Sequence, residues 1–303
     1  MNTRKVLKLL AWFQRYRRYA IITFLVTGAG GPAGRNVIAL LLERKHRVVG
    51  TDVRALEPSG IRFHTVPLAN TPGFLNAIHS IAERDQVDQI IPTVSEELPV
   101  FAKGWEWHAR FPVLVSSARA TEIANDKYLT ASTLAEKGVA VPRFALPSQV
   151  HSAEDVARLV GWPCISKPRV GRGGREVIWH PEQDWPIISA LDDRYILQEF
   201  ATGTDFAPNV HIGRDGKALA VVLEKTELKE GIVGNAKAVR RIEAPDVAET
   251  AIAAAQAVGL LGPLDIDIRR RSDGIPVVLE INARFGANIR NAPEVLDAVL
   301  DAL

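Results

Sequence analysis

The sequence predicts an α/β protein of several lobes, and three observations carry that expectation. Strand-like and helix-like segments alternate from Ile21 onward, a glycine-rich basic loop follows a strand in the middle of the chain, and two alternating strands near the C-terminus join across Asp273-Gly274. At 303 residues, 47% of them hydrophobic, the chain can bury a full core and divide into two or three lobes.

Residues 21–27 read as a strand, the turn Gly28-Ala29-Gly30-Gly31-Pro32-Ala33-Gly34 opens a helix over 32–44, and a second strand spans 47–52. Further alternation through Gln89-Ile90-Ile91 and Val113-Leu114-Val115 completes a parallel, doubly wound sheet. The turn fits G-x-G-x-x-A, and Asp52 ends the second strand where a ribose-binding acid would sit, so an NAD(P)-binding oxidoreductase is one reading. Glycine is equally needed at such turns for positive φ and close packing, and no Tyr-x-x-x-Lys pair accompanies it.

A second lobe is expected to begin near Ala120, where Asn125-Asp126-Lys127-Tyr128 opens a helical stretch that Gly138 and Val141-Pro142 end. Ser152-Ala153-Glu154-Asp155 reads as a capped helix start, and Cys164-Ile165-Ser166-Lys167 as a strand leading into Gly171-Arg172-Gly173-Gly174. Strands at 176–179 and 195–200, a hairpin around Asp215-Gly216 and an alanine-rich helix after Pro245 precede the acidic hairpin. The expected divisions are a basic extension over 1–20, a Rossmann-like domain over 21–120, a linker and lid over 121–197, and an antiparallel-sheet lobe over 198–303.

Composition narrows the function classes. The single cysteine, Cys164, excludes an internal disulfide, and the seven histidines show no paired metal-ligand spacing. The net charge of +2 hides an asymmetry, because Arg4, Lys5, Lys8, Arg15, Arg17 and Arg18 crowd the first twenty residues. With those six set aside, 31 basic residues face 35 acidic ones, which argues against a broad nucleic-acid surface. The leader, with Leu7, Leu10, Trp12 and Phe13 among its bases, reads as an amphipathic surface helix or as a packed or extraneous extension. No apolar run reaches the length of a membrane span and no signal-type cleavage site is seen, so no stable membrane insertion is expected and the cytoplasm is the expected location.

The acidic hairpin carries the clearest chemistry. Counting outward from a two-residue turn sets Asp267 opposite Glu280 and Asp265 opposite Asn282, all on one face, with Leu264, Ile266, Ile268, Leu279 and Ile281 on the other. Like charges facing each other are destabilising, so the patch calls for a cation, and oxygen-only ligands point to Mg2+ or Mn2+. A solvated polar face is the plainer alternative. The glycine loop is not a Walker A element, since its lysine, Lys167, lies ahead of it on the strand. Its backbone N–H groups with Lys167 and Arg172 suit phosphate oxygens, or else form a surface hairpin.

Taken in order, Lys127, Lys167 with its loop, Gln198-Glu199-Phe200-Ala201 followed by Asp205, and Asp267 with Glu280-x-Asn282 form a series that resembles the ATP-grasp superfamily from about Ile21 to the C-terminus. Val26-Thr27-Gly28-Ala29-Gly30-Gly31, Pro92-Thr93-Val94-Ser95-Glu96-Glu97-Leu98-Pro99 and Asn125-Asp126-Lys127-Tyr128 resemble its carbamoyl-phosphate-synthetase-like branch, which includes the lysine ligase of pyrrolysine synthesis. The resemblance implies a Rossmann-like first domain that needs no dinucleotide, a small α+β lid and a C-terminal lobe, with ATP between the last two. It implies that Lys127 and Lys167 meet ATP phosphates together with the loop residues Arg172, Gly173 and Gly174. It places Glu199 at the adenine amino group, with Gln198 before it among the nucleotide-binding residues, the backbone of Phe200 and Ala201 at the adenine edge, and Asp205 at the ribose. Asp267, Glu280 and Asn282 would hold one or two Mg2+, and Arg284 would steady the transferred group. Lys225, Lys237 and Arg240 either face that centre or make surface ion pairs.

The implied reaction joins a small-molecule carboxylate to an amine through an acyl-phosphate, releasing ADP and phosphate, and a homodimer is implied as well. Asp267 stands where several relatives carry Glu or Gln, and the chain stops soon after Asn282, where many relatives continue. The amine pocket is therefore expected from Asn288, Arg290 and Asn291, from a second subunit, or from the cleft under the first domain. A non-catalytic ATP-binding regulatory protein is the further alternative.

Overall fold

The computed structural model describes residues 21–56, 60–104, 110–171, 175–230 and 233–303, with only the backbone described for Glu230, Val233 and Asn235. The leader, Arg172, Gly173 and Gly174 lie outside the described residues. Three sheets carry the α/β architecture expected from the alternation.

The first is parallel: β1 (Thr23–Thr27), β2 (Arg47–Asp52), β3 (Arg62–Thr65) and β4 (Gln89–Ile91) lie in the order β3-β2-β1-β4. Strand β1 is buried throughout because both faces are covered, which is why its sequence is a run rather than an alternation. Phe24 and Val26 face helix α1 (Pro32–Glu43), while Leu25 faces α2 (Phe74–Arg84), whose Phe74, Ile78, Ile81 and Ala82 recur at helical spacing on its buried side.

Helices α3 (Leu98–Lys103), α4 (Ala118–Asn125) and α5 (Lys127–Glu136) follow. Ser117 caps α4 and Asp126 caps α5, each side chain taking a backbone N–H of the first turn. The small second sheet, β5 (Phe144–Ala145), β6 (Cys164–Pro168), β7 (Ile178–His180) and β8 (Tyr195–Glu199), has the antiparallel order β5-β8-β6-β7. It closes its own core with α6 (Ala153–Leu159) and α7 (Trp185–Ile188) around Val156, Cys164, Ile188 and Leu197.

The third sheet is antiparallel: β9 (Asp205–Phe206), β10 (Asn209–Ile212), β11 (Ala218–Val221), β12 (Leu223–Glu230), β13 (Val233–Arg241), β14 (Gly262–Arg270) and β15 (Pro276–Asn282). One face, with Val210, Ile212, Leu264, Ile266 and Ile268, packs on α8 (Pro245–Val258), whose Ala251, Ala254 and Ala255 permit a close approach. Ala120, Ile123, Ala124 and Leu134 of α4 and α5 join that core, so the expected division at 120/121 falls inside α4, and the one at 197/198 falls inside β8. The other face, with Val221 and Leu223, meets α9 (Pro293–Asp301) and, through it, Phe24, Val26 and Val37 of the first domain. Helix α9 is the wedge that fastens the parallel sheet to the large one. Among the described residues no helix is long and apolar enough to cross a membrane.

Leu296 of α9 is wholly buried between the two sheets. Leu296→Ala is expected to cost about 2–5 kcal/mol of stability, measured by chemical denaturation. A loss well under that range would mean that the wedge does not tie the domains together.

Candidate active site

The site is built on the face of the large sheet that α9 leaves uncovered, beginning with β14 and β15. Asp265 pairs with Asn282 and Asp267 with Glu280, as counting from the turn suggested. The route to that register differs from the expectation. Arg271 N–H bonds to Ile275 O across a three-residue loop with Gly274 at φ 85°, which by itself would offset the strands by one position. A bulge between the Ile268–Val278 and Asp267–Glu280 pairs takes up the extra residue and restores the offset. Val278 therefore fills the core position expected of Leu279, and Leu279 is only half-buried. The Leu279 carbonyl accepts a bond from Lys167 Nζ at 3.0 Å.

Lys167 stands on β6 of the small sheet, so this bond joins the two sheets. Burial pulls its pKa down to about 8, with Lys127 and Lys225 pushing the same way and Glu280 and Asp267 opposing. Lys127, the first residue of α5, donates to Gly171 O at 3.0 Å and lies 3.6 Å from Glu280. Its placement depends on Asp126, which caps the helix and also grips Arg169 with contacts of 2.7 and 3.1 Å, while Lys127 N–H bonds to Arg169 O. Both lysines are thus brought to one point by a clamp, Asp126–Arg169, that the sequence reading did not single out.

The other cation at the centre is Lys225 of β12. Its Nζ is 2.5 Å from Asp267 Oδ1 and 3.1 Å from Asp205 Oδ1, the latter outside hydrogen-bond alignment. Burial alone would lower the Lys225 pKa, and the carboxylates of Asp267 and Asp205 override it and raise it. Asp205 in turn is raised, chiefly by burial and against the pull of Lys225. Arg269 reaches Asp205 Oδ2 at 3.1 Å and lies over the Phe200 ring at 5.2 Å. Lys237 and Arg240 are not brought to this centre: they are exposed and pair with Glu227 at 2.5 Å and Glu224 at 2.8 Å. Strand alternation explains the split, since Arg240 faces Glu224, the neighbour of Lys225 that points to the opposite side of the sheet.

At the end of β8, Gln198 is buried, and Glu199 accepts the Arg143 N–H at 3.1 Å, with the Arg143 guanidinium 3.5 Å away. Phe200 N–H reaches Pro163 O at 3.4 Å, and Ala201 is buried, its carbonyl 3.4 Å from Arg269 Nη1. Past β15, Arg284 donates to Asn282 Oδ1 at 2.9 Å, Phe285 O at 3.0 Å and Asp265 Oδ2 at 3.3 Å. Burial raises the Asp265 carboxyl to about 6, against the pull of Arg284. Arg290 instead bonds to Glu43 of α1 on the exposed side, and Asn291 Nδ2 lies 3.5 Å from Asn288 O. What borders the acidic end of the hairpin is a narrow cleft under the first domain, lined by Ser95, Thr121, Asn125, Gly171, Glu280 and Asn282.

The donor set suits a hard cation. Among the described residues no group of three or more His, Cys, Asp or Glu side chains gathers as a self-sufficient metal cage. Two carboxylates and an amide fit an ion that completes its shell with phosphate oxygens and water. Each carboxylate already draws a cation, Lys225 at Asp267 and Lys127 at Glu280.

Two other constellations have structural explanations. Asp52 accepts Gly30 N–H at 2.9 Å and Arg54 N–H at 3.1 Å, so the acid that a dinucleotide fold aims at a ribose closes the turn itself. Gly28 has φ 60° and abuts Val94, and a side chain at Gly34 would run into the Gly28 carbonyl, so these glycines serve packing. Ser166, His180 and Asp184 line up at 2.8 and 3.2 Å like a hydrolase triad. Ser166 and His180 are wholly buried, and the row ties β6 and β7 to the start of α7.

The profile of the ATP-grasp domain matches residues 124–288, more than half of the sequence. The chain belongs to the ATP-grasp family. Residues of this ATP-grasp protein are 27% identical over 257 positions to a probable alpha-L-glutamate ligase of Maridesulfovibrio salexigens, covering 78% of this chain and 80% of that one. Its fold is that of the L-amino acid ligase from Bacillus licheniformis, with a TM-score of 0.68 at 18% identity over 90% of this chain and 70% of the other. It is also that of the N5-carboxyaminoimidazole synthetase from Staphylococcus aureus solved with ADP, with a TM-score of 0.66 at 15% identity over 88% and 71%. ATP and a divalent metal are the ligands of this family.

If Lys167 is a phosphate ligand it serves only while protonated, so affinity for ADP with Mg2+ is then expected to be level near neutrality and to fall as pH rises through about 8, by at most about tenfold per pH unit. Calorimetric titrations across that range check this, with Lys167→Met expected to bind weakly and without the inflection. A level profile for the parent protein would remove Lys167 from the phosphate site.

Proposed function

We propose that the protein is an ATP-dependent, ADP-forming ligase that joins a carboxylate to an amine, with an amino acid as one partner. The observation that carries the reading is the convergence of Lys127, Lys167, Asp267, Glu280 and Asn282 from four separate elements, with Arg284 just past the last of them, onto one face, in a chain of the ATP-grasp family. The glutamate-ligase and amino-acid-ligase relatives support an amino acid as substrate.

In this reading the nucleotide lies between the small sheet and the large one. Glu199 and the backbone of Phe200 and Ala201 meet the adenine, and Asp205 the ribose. Lys127 and Lys167 take the phosphates, as would the loop containing Arg172, Gly173 and Gly174. Asp267, Glu280 and Asn282 would hold Mg2+, which would supply neutralisation of charge on the phosphate oxygens.

A substrate carboxylate oxygen bonds to the γ-phosphorus as the bond to the ADP oxygen breaks, giving an acyl-phosphate. The amine then attacks the acyl carbon, phosphate leaves with the bonding pair, and the amine sheds a proton. None of this needs a protein nucleophile, which suits a site made of fixed cations. Arg284 faces the transferred phosphoryl, and the narrow cleft under the first domain admits the acceptor. Closure of the small sheet over the nucleotide keeps water from the acyl-phosphate.

Glu280→Gln is expected to reduce ADP formation by more than the roughly 10–100-fold that loss of an outer-shell metal partner costs. The assay is a screen of paired amino acids and small carboxylates, glutamate included, with a coupled ADP readout. Full turnover by Glu280→Gln with a pair that the parent accepts would remove the metal role, and a parent that forms no ADP with any pair would count against the ligase.

A further inference from the structure

We propose that Asp265 is the positioning residue of Arg284, and that residue 286 is glycine so that the Asp265 carboxylate can occupy its place. The proposal rests on the reading that Arg284 faces the transferred phosphoryl. Three observations support it, and they come from different parts of the chain.

The first is position. Asp265 sits in the middle of a row across three strands, with Asn209 of β10 on one side and Asn282 of β15 on the other. Asn209 is wholly buried and bonds its amide to Ala207 O, so the charge facing Asp265 comes from the Arg284 side.

The second is the way Arg284 is held. Its other two contacts, Asn282 Oδ1 and Phe285 O, are neutral acceptors within two residues of it, one at the last residue of β15 and one beyond it. Asp265, on a central strand, is the ionic contact that refers the guanidinium to the rigid sheet. An arginine pulled by a phosphate carrying several charges needs such an anchor, because a guanidinium displaced by an ångström no longer matches the oxygens it serves.

The third is Gly286. A Cβ built there would lie 2.5 Å from Asp265 Cγ and 2.6 and 2.7 Å from its two oxygens. Its backbone is not in the left-handed region, so conformation does not demand glycine, and the space belongs to the carboxylate. That carboxylate belongs to a side chain and not to backbone, so it is the group that gives way. Gly286→Ala therefore displaces Asp265 without rebuilding the fold.

The test compares Asp265→Ala, Asp265→Asn, Gly286→Ala and the double variant Asp265→Ala/Gly286→Ala, each with a melting curve of the nucleotide-free protein. Asp265→Ala and Gly286→Ala are both expected to lower kcat by about 10–100-fold, the range seen when an outer-shell orienting partner is lost. The KM for ATP and the melting temperature of Gly286→Ala are expected to stay at the parent values. Asp265→Asn, which keeps an acceptor for Arg284, is expected to recover part of the loss. The double variant is expected to be no slower than Asp265→Ala, because without the carboxylate the added methyl has nothing to displace. Parent-like kcat in both single variants, or losses that multiply in the double variant, would overturn the proposal. Arg284→Ala, measured alongside, separates the two layers. If it is inactive while the Asp265 and Gly286 variants match the parent, the positioning role alone falls, and if it turns over normally, the reading of Arg284 falls first.

Discussion

Charge compensation away from water is the constraint on which this site depends. The side chains of Lys127, Lys167 and Lys225 are each no more than 7% exposed, and they meet Asp205, Asp267 and Glu280 at the junction of two sheets. A buried ion survives only with a partner of opposite charge or a full set of hydrogen bonds. Lys225 takes two carboxylates and Lys127 takes one, whereas Lys167 is left with a backbone carbonyl. That inequality explains why burial lowers Lys167 while carboxylates raise Lys225. It also marks Lys167 as the cation with most to gain from a phosphate.

Much of the site was legible in the sequence because its core is local. In the hairpin, period two and a turn fix which residues face each other, and the facing of Asp267 with Glu280 follows from counting. The count reaches the observed register through two departures that offset each other, a longer loop and a bulge, and neither has a signature in the sequence beyond Gly274. The side effect is visible at Leu279 and Val278, whose core positions exchange. The same limitation governs Lys225 against Lys237 and Arg240. Alternation separates them once the β12–β13 register is known, but that ladder shifts three times, and a residue count cannot foresee the shifts.

Non-local contacts were illegible for a different reason. Asp126 and Arg169 are 43 residues apart, and each looks like an ordinary helix cap or surface arginine until the fold brings them together. The Rossmann-like turn illustrates the reverse case, in which a pattern is clear and its use is not. Gly28, Gly30 and Ala33 satisfy a dinucleotide fingerprint, yet the Asp52 carboxylate is spent on the turn. Thr93 Oγ1 bonds back to Thr27 O, so the segment after β4 packs down over the same glycines. A fingerprint of glycines records where backbone must come close to something, and here that something is the protein's own chain.

On the proposed reading, the contacts that hold the small sheet against the large one are made by groups that the nucleotide would also use. Lys167 spends its donor on Leu279 O, Lys127 on Gly171 O, and Arg169 is gripped by Asp126 at the root of the glycine loop. A phosphate entering this space competes directly with the first two of these bonds and leaves the third intact. Nucleotide entry then exchanges a neutral carbonyl for an anionic oxygen at each lysine, a stronger partner in the same place, while the Asp126–Arg169 clamp preserves the geometry of both. On that reading the junction is kept on binding, because Lys167 of the small sheet and Lys127 of α5 would change partners without leaving it.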